Sequence, residues 1–355
     1  MKIAPVMFAL DDVDVVDQRL VHTGQHYDAN MSQVFIDELG LPNPHVMLGV
    51  RSGSHGAITG RMIIELERVF TELGPDCVVV VGDVDSTMAG ALAAVKLGIP
   101  CAHVEAGLRS FNRTMPEEIN RVVTDRVADL LFTPSADSDR NLVAEGVPES
   151  AIHRVGNVMI DTLGTHLERA KQRPVLASLS VTPGAYALAT LHRPENVDDP
   201  ASLESLLGAI EWIQEQLPVV LPRHPRPRRR LEQVSLTSRA VSMPNLRLTD
   251  PFGYLDFLAL AAGAKVVLTD SGGLQEETTV LGVPCLTLRT YTERPVTVSV
   301  GSNTVVGPNP DKIREAVGQV LAGRGKTGAT PELWDGRAGA RIATALTEYL
   351  ARRAT

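Results

Sequence analysis

Cysteine is scarce in this sequence, and its distribution excludes two common kinds of stabilised site. The three cysteines, Cys77, Cys101 and Cys285, are an odd number, lie far apart and show no Cys-x-x-Cys spacing. A disulfide framework or a structural zinc site needs paired or closely spaced cysteines. We therefore expect small buried thiols, and we expect no metal site.

Long apolar runs and targeting segments are also missing. No apolar stretch approaches the ~18 residues of a membrane span. Acidic residues at Asp11 and Asp12 end the short apolar opening, and no small-residue cleavage site appears there. The sequence therefore predicts a cytoplasmic protein with no membrane partner.

The sequence carries no excess of positive charge. Its formal net charge is -8 and its pI is near 5.6, whereas a protein that binds a phosphate backbone normally presents a basic face. The one dense basic run, residues 223–230, is more typical of a solvated helix start than of a phosphate-binding patch. A nucleic-acid partner is therefore not expected, and any anionic ligand must be held by local donors.

The order of predicted elements indicates the fold class. Two short apolar runs, Cys77–Val81 and Lys265–Leu268, read as strands buried on both faces of a parallel sheet. Between such runs lie helical patterns, and His55–Leu73 places its apolar residues on one face. Alternation of strands and helices predicts an α/β protein with doubly wound, Rossmann-like domains that bind ligands beyond the carboxyl ends of the strands.

The chain length points to two domains. A chain of 355 residues exceeds the size at which one hydrophobic core keeps growing. We predict an N-terminal domain over residues 1–157 and a C-terminal domain over 158–337, with a final helix at about 338–355 that packs back on the first domain. No fixed-period repeat is evident.

Carboxylates cluster behind the strands of the first half. Asp83 and Asp85 follow one predicted strand, Glu105 follows the next, and Glu117 and Glu118 open a helix. Grouped carboxylates raise one another's pKa, which can keep one as a base and another as an acid near neutral pH. Two alternatives stay open for these residues: helix-start acids behind Pro116, and the metal-binding Asp-x-Asp of some glycosyltransferases.

The second half carries a glycine turn and a strand-end histidine. Ser271, Gly272 and Gly273 follow a buried strand and open a helix, where free N–H groups and the helix dipole favour an anion such as a diphosphate. The alternative is a serine cap. His192 ends another strand and could act on a leaving phosphate or be an ordinary loop histidine. The first-strand Gly-x-Gly-x-x-Gly of nicotinamide enzymes is absent, so no cofactor is expected.

These segments, in this order, resemble the non-hydrolysing UDP-N-acetylglucosamine 2-epimerases. The resemblance covers nearly the whole chain, and seven stretches in register are hard to obtain by chance. The matching stretches are His22–Asp28 (HTGQHYD), Gly82–Asp83 (GD), His103–Arg109 (HVEAGLR), Pro116–Arg121 (PEEINR), His192–Asn196 (HRPEN), Ser271–Glu277 (SGGLQEE) and Thr292–Pro295 (TERP).

The resemblance implies a glycosyltransferase-B-like fold with UDP-sugar in a cleft between the two domains, and it assigns residues in three groups. The implied acid/base and leaving-group residues are Asp83, Glu105, Glu117 and His192. The implied substrate-binding residues are Arg121, Phe257, Ser271, Gly272, Gly273, Glu277 and Arg294. The residues that match a second, regulatory UDP-sugar pocket of the bacterial enzymes are Gln25, His26 and Arg61.

The implied reaction interconverts UDP-N-acetylglucosamine (UDP-GlcNAc) and UDP-N-acetylmannosamine (UDP-ManNAc) for cell-envelope polysaccharide precursors, in a homodimer. The carbon that is inverted, C2, carries no acidifying carbonyl, so another route than enolate chemistry is needed. The resemblance supplies anti elimination of UDP to 2-acetamidoglucal, followed by re-addition. Two sugar faces require two proton-transfer groups, which accounts for a cluster of carboxylates.

One departure from the family pattern and four alternatives remain. Family members begin with a strand and a Gly-x-Arg-Pro loop before the segment that resembles Lys2–Val6, and we expect a start codon placed too late. The alternatives are a hydrolysing epimerase, a C2 epimerase of a diacetamido uronic acid UDP-sugar, a glycosyltransferase and a catalytically impaired UDP-sugar-binding protein.

Overall fold

The computed structural model describes residues 1–24, 34, 36–50, 53–223 and 237–354. Two compact units divide the chain. Unit 1 contains Met1–Gly164 together with Glu332–Thr355, and unit 2 is the continuous segment Thr165–Pro331. Gln25, His26 and the basic run from 224 onwards lie outside the described residues.

Unit 1 contains two sets of parallel strands. The described strands are β1 (Val21–His22), β2 (Val46–Met47), β3 (Val78–Val81), β4 (Cys101–Val104), β5 (Leu130–Thr133) and β6 (Ile152–Arg154). Strands β3, β4, β5 and β6 form one sheet in that order, and β1 pairs with β2. Every residue of β4 and β5 is buried, as expected for central strands covered on both faces.

Helices cover the sheet of unit 1 and extend into the next unit. The described helices are α1 (Ala4–Asp11), α2 (His55–Leu73), α3 (Asp85–Lys96), α4 (Pro116–Val127), α5 (Ala136–Ala144), α6 (Val158–Lys171) and, at the chain's end, α15 (Ala338–Ala354). A 3-10 turn lies at Glu149–Ala151. Helix α6 contains the point at which unit 1 passes into unit 2.

Helix α2 has the bounds that its sequence predicts. The Ser54 side chain accepts a hydrogen bond from the backbone of Ala57 at its start, and Gly74 ends it with a left-handed φ of 57°. Met62 and Leu66 are buried on its inner face, but Leu73 is 40% exposed. The predicted apolar face was therefore one residue too long.

The two ends of the chain share one core in unit 1. Val6 and Leu10 of α1 belong to the same buried cluster as Ile342 and Leu346 of α15, and Val104 of β4 is part of it. Buried Asp161 of α6 fixes the start of α15, because its carboxylate accepts hydrogen bonds from the backbone N–H groups of Ala338 and Gly339.

Unit 2 is one six-stranded parallel sheet with helices. Its described strands are β7 (Ala187–Thr190), β8 (Val219–Pro222), β9 (Leu246–Thr249), β10 (Val266–Thr269), β11 (Cys285–Thr287) and β12 (Asn303–Val305). Its other described helices are α7 (Val175–Ser178), α8 (Pro194–Val197), α9 (Pro200–Gln216), α10 (Thr237–Val241), α11 (Tyr254–Gly263), α12 (Gly272–Leu281), α13 (Pro295–Ser299) and α14 (Pro310–Leu321).

The strand order of unit 2 places a ligand site between β7 and β10. The order is β12, β11, β10, β7, β8, β9, so the chain runs outward in one direction from β7 and in the other from β10. In open α/β sheets the crevice at such a reversal, beyond the carboxyl ends of the strands, is where ligands bind. The predicted α/β class with two doubly wound, Rossmann-like units is confirmed.

Within the described ranges, no helix combines the length and the apolar character needed to cross a bilayer.

Candidate active site

Two carboxylates of unit 1 emerge side by side from neighbouring strands. Strands β3 and β4 are parallel, and Val81 is in register with Val104. Asp83 and Glu105 follow these strand ends and therefore share one edge of the sheet. Glu105 is buried with a left-handed φ of 72°, a conformation that costs a non-glycine residue energy and is typical of functional sites. The Lys2 ammonium contacts the Glu105 carboxylate.

Arg121 holds Asp83 from the side of helix α4. Its guanidinium lies 2.5 Å from Oδ2 of Asp83 and 2.9 Å from Oε2 of Glu118. Arg121 is only 2% exposed, whereas the Asp83 side chain is 21% exposed. A buried guanidinium with two carboxylate partners is a fixed fork that orients both. Asp83 therefore presents a defined face to solvent.

Glu117 and Glu118 have different environments although they are adjacent in sequence. Glu118 is buried, accepts hydrogen bonds from the backbone N–H groups of Ser110 and Phe111, and pairs with Arg121. Glu117 is half-buried on the same first turn of α4. Glu118 is therefore an anchor of the loop before the helix, and Glu117 stays a predicted acid/base residue.

The Asp-x-Asp interpretation is not supported by the geometry. Asp83 pairs with Arg121, whereas Asp85 accepts a hydrogen bond from Asn120 and lies 3.2 Å from Nδ1 of His55. The two carboxylates thus meet different protein partners. In the part of the chain that the structure describes, no three His, Cys, Asp or Glu side chains are grouped to hold a metal ion.

His192 and the glycine turn stand together at the switch point of unit 2. Strands β7 and β10 pair in register at Thr190 and Thr269, whose hydroxyls lie 2.6 Å apart. His192 follows β7 and Ser271 follows β10, so both leave the sheet at this edge. The predicted nucleotide turn and the histidine therefore lie at the same edge of the sheet of unit 2.

Asp270, to which the sequence analysis assigned no role, holds the loop that carries His192. It is fully buried, and its carboxylate accepts hydrogen bonds from the backbone N–H groups of His192 and Arg193 and from the Asn196 amide. Burial opposes ionisation, but His192 and these donors outweigh it and lower the pKa of Asp270. The only sequence signal was its place at a strand end.

The helix start at Ser271 is not a serine cap. Ser271 occupies the N-cap position of α12, but its side chain makes no capping hydrogen bond in the described structure. A β-carbon at Gly272 would collide with the guanidinium of Arg294. Arg294 is 5% exposed, and its Nε lies 2.7 Å from Oε1 of Glu276. The glycine therefore lets the paired Arg294 guanidinium pack against the turn, and the helix start itself favours an anion.

Glu277 is an unusual carboxylate on the same helix. It is buried and accepts a hydrogen bond from the Tyr254 hydroxyl at 3.1 Å. Burial is the main cause that raises the pKa of Glu277 to about 7; Glu276 adds to the rise and the Tyr254 hydroxyl opposes it. Phe257 lies one turn beyond Tyr254 on α11 and is half-buried.

Of the predicted regulatory pocket, only Arg61 belongs to the described residues. Arg61 is exposed on α2, and its guanidinium folds back over Gly53, where it would come within 2.7 Å of an added β-carbon. Gln25 and His26 lie outside the described residues, so this part of the prediction stays a prediction.

The comparisons with known proteins decide to which family the chain belongs. Residues 9–347 match the family model of UDP-N-acetylglucosamine 2-epimerase. The chain belongs to the UDP-N-acetylglucosamine 2-epimerase family. It is 44% identical over 352 residues to the UDP-N-acetylglucosamine 2-epimerase of Methanocaldococcus jannaschii, covering 98% of this chain and 95% of the relative.

One further relative of this 2-epimerase family member and one solved structure are informative. A diacetamido-dideoxy-glucuronate relative, the UDP-2,3-diacetamido-2,3-dideoxy-D-glucuronate 2-epimerase of Pseudomonas aeruginosa, is 43% identical over 99% of this chain and 96% of its own length. A crystal structure of the M. jannaschii enzyme in complex with UDP-GlcNAc and UDP matches with a TM-score of 0.91 and 43% identity, over 98% of this chain and 96% of that one. The glycosyltransferase-B-like fold class of the 2-epimerases is thereby confirmed.

Proposed function

We propose that this 2-epimerase interconverts UDP-GlcNAc and UDP-ManNAc by the non-hydrolysing route, using neither a nicotinamide cofactor nor a metal ion, for cell-envelope polysaccharide precursors. One observation carries the proposal. Asp83 and Glu105 leave adjacent parallel strands of unit 1 at one edge, which brings two carboxylates together, and proton transfer at both faces of one sugar carbon needs two such groups. The likeness to an enzyme solved with UDP-GlcNAc and UDP supports it.

The first half-reaction is an anti elimination. A carboxylate removes the proton from C2, the electron pair of that bond forms the C1–C2 double bond, and the C1–O bond breaks to release UDP. In the second half-reaction, another acid protonates C2 from the opposite face while a phosphate oxygen of UDP adds to C1. Asp83, Glu105 and Glu117 are the proposed acid and base groups.

Unit 2 serves the departing UDP in this proposal. Leaving of UDP builds negative charge on the diphosphate, where the N–H groups at Ser271, Gly272 and Gly273 and the His192 side chain can stabilise it. Glu277 would accept the ribose hydroxyls, and Phe257 would pack on uracil. Arg294 lies behind the glycine turn, so its proposed contribution is charge.

Arg121 has a more indirect place in the proposed binding than its family match implies. It is 2% exposed on the side chain and already paired with Asp83 and Glu118. We therefore propose that Arg121 contributes to substrate binding chiefly by orienting the Asp83 carboxylate.

Several broader features belong to the same proposal. We propose that the enzyme works in the cytoplasm as a homodimer without a nucleic-acid partner, in keeping with its pI near 5.6. The domains are proposed as residues 1–157 and 158–337. Gln25, His26 and Arg61 are proposed to line a regulatory UDP-sugar pocket.

A second substrate has specific support. The P. aeruginosa relative that is named for a diacetamido uronate UDP-sugar is as similar over its length as the archaeal enzyme. The same carboxylates could invert C2 of either sugar, because the chemistry at C1 and C2 is the same.

Isotope incorporation in deuterated water tests the proposal. Purified protein is incubated with UDP-GlcNAc, without NAD or added metal, and the products are followed by NMR. We expect UDP-ManNAc that carries deuterium at C2, with traces of UDP and 2-acetamidoglucal at long times. Product with a fully protiated C2 contradicts the elimination. Free N-acetylmannosamine indicates a hydrolysing enzyme, and turnover of only the diacetamido uronate supports the second substrate.

A further inference from the structure

A histidine inside the sheet of unit 1 joins the two turns that carry Asp83 and Glu105. His103 belongs to β4, and its side chain is fully buried. Its Nε2 atom lies 2.8 Å from the carbonyl oxygen of Gly82, and its Nδ1 atom lies 2.6 Å from Oδ1 of Asp125. Both ring nitrogens are therefore engaged at hydrogen-bonding distance.

The partners of the ring determine where its protons are. A carbonyl oxygen can only accept, so Nε2 of His103 must carry a proton to bond Gly82. The other oxygen of Asp125 accepts from the Gly107 backbone at 3.0 Å and from Arg109 at 2.7 Å. Burial opposes ionisation of Asp125, yet His103 and Arg109 outweigh it and lower the pKa of Asp125. The Nδ1 atom faces this carboxylate, so both sides of the ring are bonded to the protein.

The groups around the ring are paired one after another. Asp125 lies between His103 and Arg109, and Arg109 in turn pairs with Glu145 at 2.7 Å. Asp125 and Arg109 are buried, whereas Glu145 reaches the surface. Buried ionisable groups are tolerated when each is paired and hydrogen-bonded.

The backbone partners of the cluster belong to the two turns that carry Asp83 and Glu105. Gly82 precedes Asp83 and has a φ of 76°, and Gly107 follows Glu105 by two residues with a φ of 79°. His103 holds the carbonyl of the first glycine, and Asp125 holds the N–H of the second. The bond between His103 and Asp125 thus links one turn to the other.

We propose that His103 is a positioning residue of the epimerase reaction: its ring, bonded to Gly82 and Asp125, fixes the Asp83 turn relative to the Glu105 turn. This role rests on the proposed function, because only a reaction with proton transfer at both faces of C2 needs the two carboxylates at a fixed separation. Misplacement of a reacting group by about 1 Å can cost about 100-fold in rate.

Two amide substitutions separate the two bonds of the ring. In His103→Asn the amide reaches the place of Nδ1 and keeps a partner for Asp125, but the Gly82 carbonyl is released. In His103→Gln the amide reaches the place of Nε2 and keeps the bond to Gly82. We expect the asparagine variant to lose about 10- to 100-fold in kcat with KM for UDP-GlcNAc nearly unchanged. The glutamine variant should lose less.

The proton on Nε2 is measured on the unaltered protein. In ¹⁵N-histidine NMR spectra, one ring should show a protonated Nε2 whose hydrogen exchanges slowly with solvent, because it is buried against the Gly82 carbonyl. That signal should vanish in the glutamine variant. The measurement needs no turnover, so it separates this inference from the proposed function.

The outcomes are distinct. An unaltered protein without epimerase activity on either UDP-sugar contradicts the proposed function. An active protein whose His103 Nε2 carries no proton, or whose asparagine variant keeps its full kcat, overturns the inference. A purely structural role would appear as equal losses in both variants that follow their melting temperatures, and this result would also overturn it.

Discussion

The Nδ1 atom of His192 lies 2.6 Å from Oδ1 of Asp270, a carboxylate that is fully buried beneath the histidine loop. The His192 side chain itself is 38% exposed. A carboxylate on Nδ1 fixes the orientation of an imidazole. Asp270 therefore holds the His192 ring in one orientation at the carboxyl end of β7.

Replacing Asp270 by asparagine should release the His192 ring from its fixed orientation. The amide would turn an N–H group towards the backbone donors of His192 and Arg193, which need an acceptor. We expect kcat to fall by about 10- to 100-fold, as measured by the initial rate of UDP-ManNAc formation. Asp311→Asn is the matched control, because the Asp311 side chain is 92% exposed at the start of α14. Equal rates for both variants would refute the orienting role.

The adjacent acids of α4 allow a paired test. Glu117→Gln removes basicity at a half-buried position, so we expect turnover to fall about 100- to 10,000-fold with little change in melting temperature. Glu118→Gln removes the buried partner of Arg121, so we expect a loss of about 1–3 kcal/mol in the free energy of unfolding. Thermal unfolding and steady-state rates separate the two effects. A Glu117→Gln variant that loses stability in proportion to activity would indicate a helix-start role.

The raised pKa of Glu277 predicts a pH dependence of UDP binding. Its pKa is about 7, above the ordinary value, so the neutral acid predominates below that pH. Ribose hydroxyls bond more strongly to a carboxylate, so a proton must leave before UDP binds well. Affinity for UDP should weaken by up to about tenfold per pH unit below about pH 7 and level off above it.

Calorimetry from about pH 5.5 to 8.5 measures this dependence on either side of the Glu277 pKa. UDP also titrates near pH 6 on its terminal phosphate. The Glu277→Gln variant serves as the control, because it retains only the titration of the ligand. Identical pH profiles for the variant and the unaltered protein would show that Glu277 does not accept the ribose.

Two glycines of unit 1 with a left-handed backbone allow the effect of close packing near Glu105 to be measured by comparison. Gly98 and Gly107 have φ values of 72° and 79°. A β-carbon at Gly107 would lie 2.5 Å from the carbonyl oxygen of Ser138, whereas no described heavy atom lies within 4 Å of one at Gly98.

Alanine at Gly98 should therefore cost about 1–2 kcal/mol from backbone strain alone. Alanine at Gly107 should cost more, because backbone must move, and the movement should also reduce kcat by shifting the Glu105 turn. Chemical denaturation and rate measurements on both variants test this. Equal losses of stability would mean that the loop near Ser138 yields easily.

The fold could be predicted from sequence because its signals are local. The α/β alternation, the bounds of α2 and the strands near Cys77 and Lys265 follow from apolar periodicity and from flanking residues such as Ser54 and Gly74. The observed strands begin one residue later than predicted, at Val78 and Val266, because pairing with a neighbour, not composition, determines where a strand begins.

The site was less accessible to sequence reasoning. Glu117 and Glu118 have the same chemistry and adjoining positions, so only the packed loop at Ser110 distinguishes them. His103 and Asp270 are polar residues within or just after buried strands, and their partners are far apart in sequence. Such long-range pairs leave no periodic signal, so the sequence placed the motifs but not the network that holds them.

Unit 1 is built from two separate segments of the chain, and this has a consequence for biosynthesis. Unit 2 is one continuous segment, whereas the core of unit 1 includes Ile342 and Leu346 of the terminal helix. On the ribosome, the second unit has its full sequence first, while the earlier one waits for α15 to emerge. A nascent chain stalled before α15 therefore exposes an unfilled apolar surface on the carboxylate-bearing half, to which chaperones can bind.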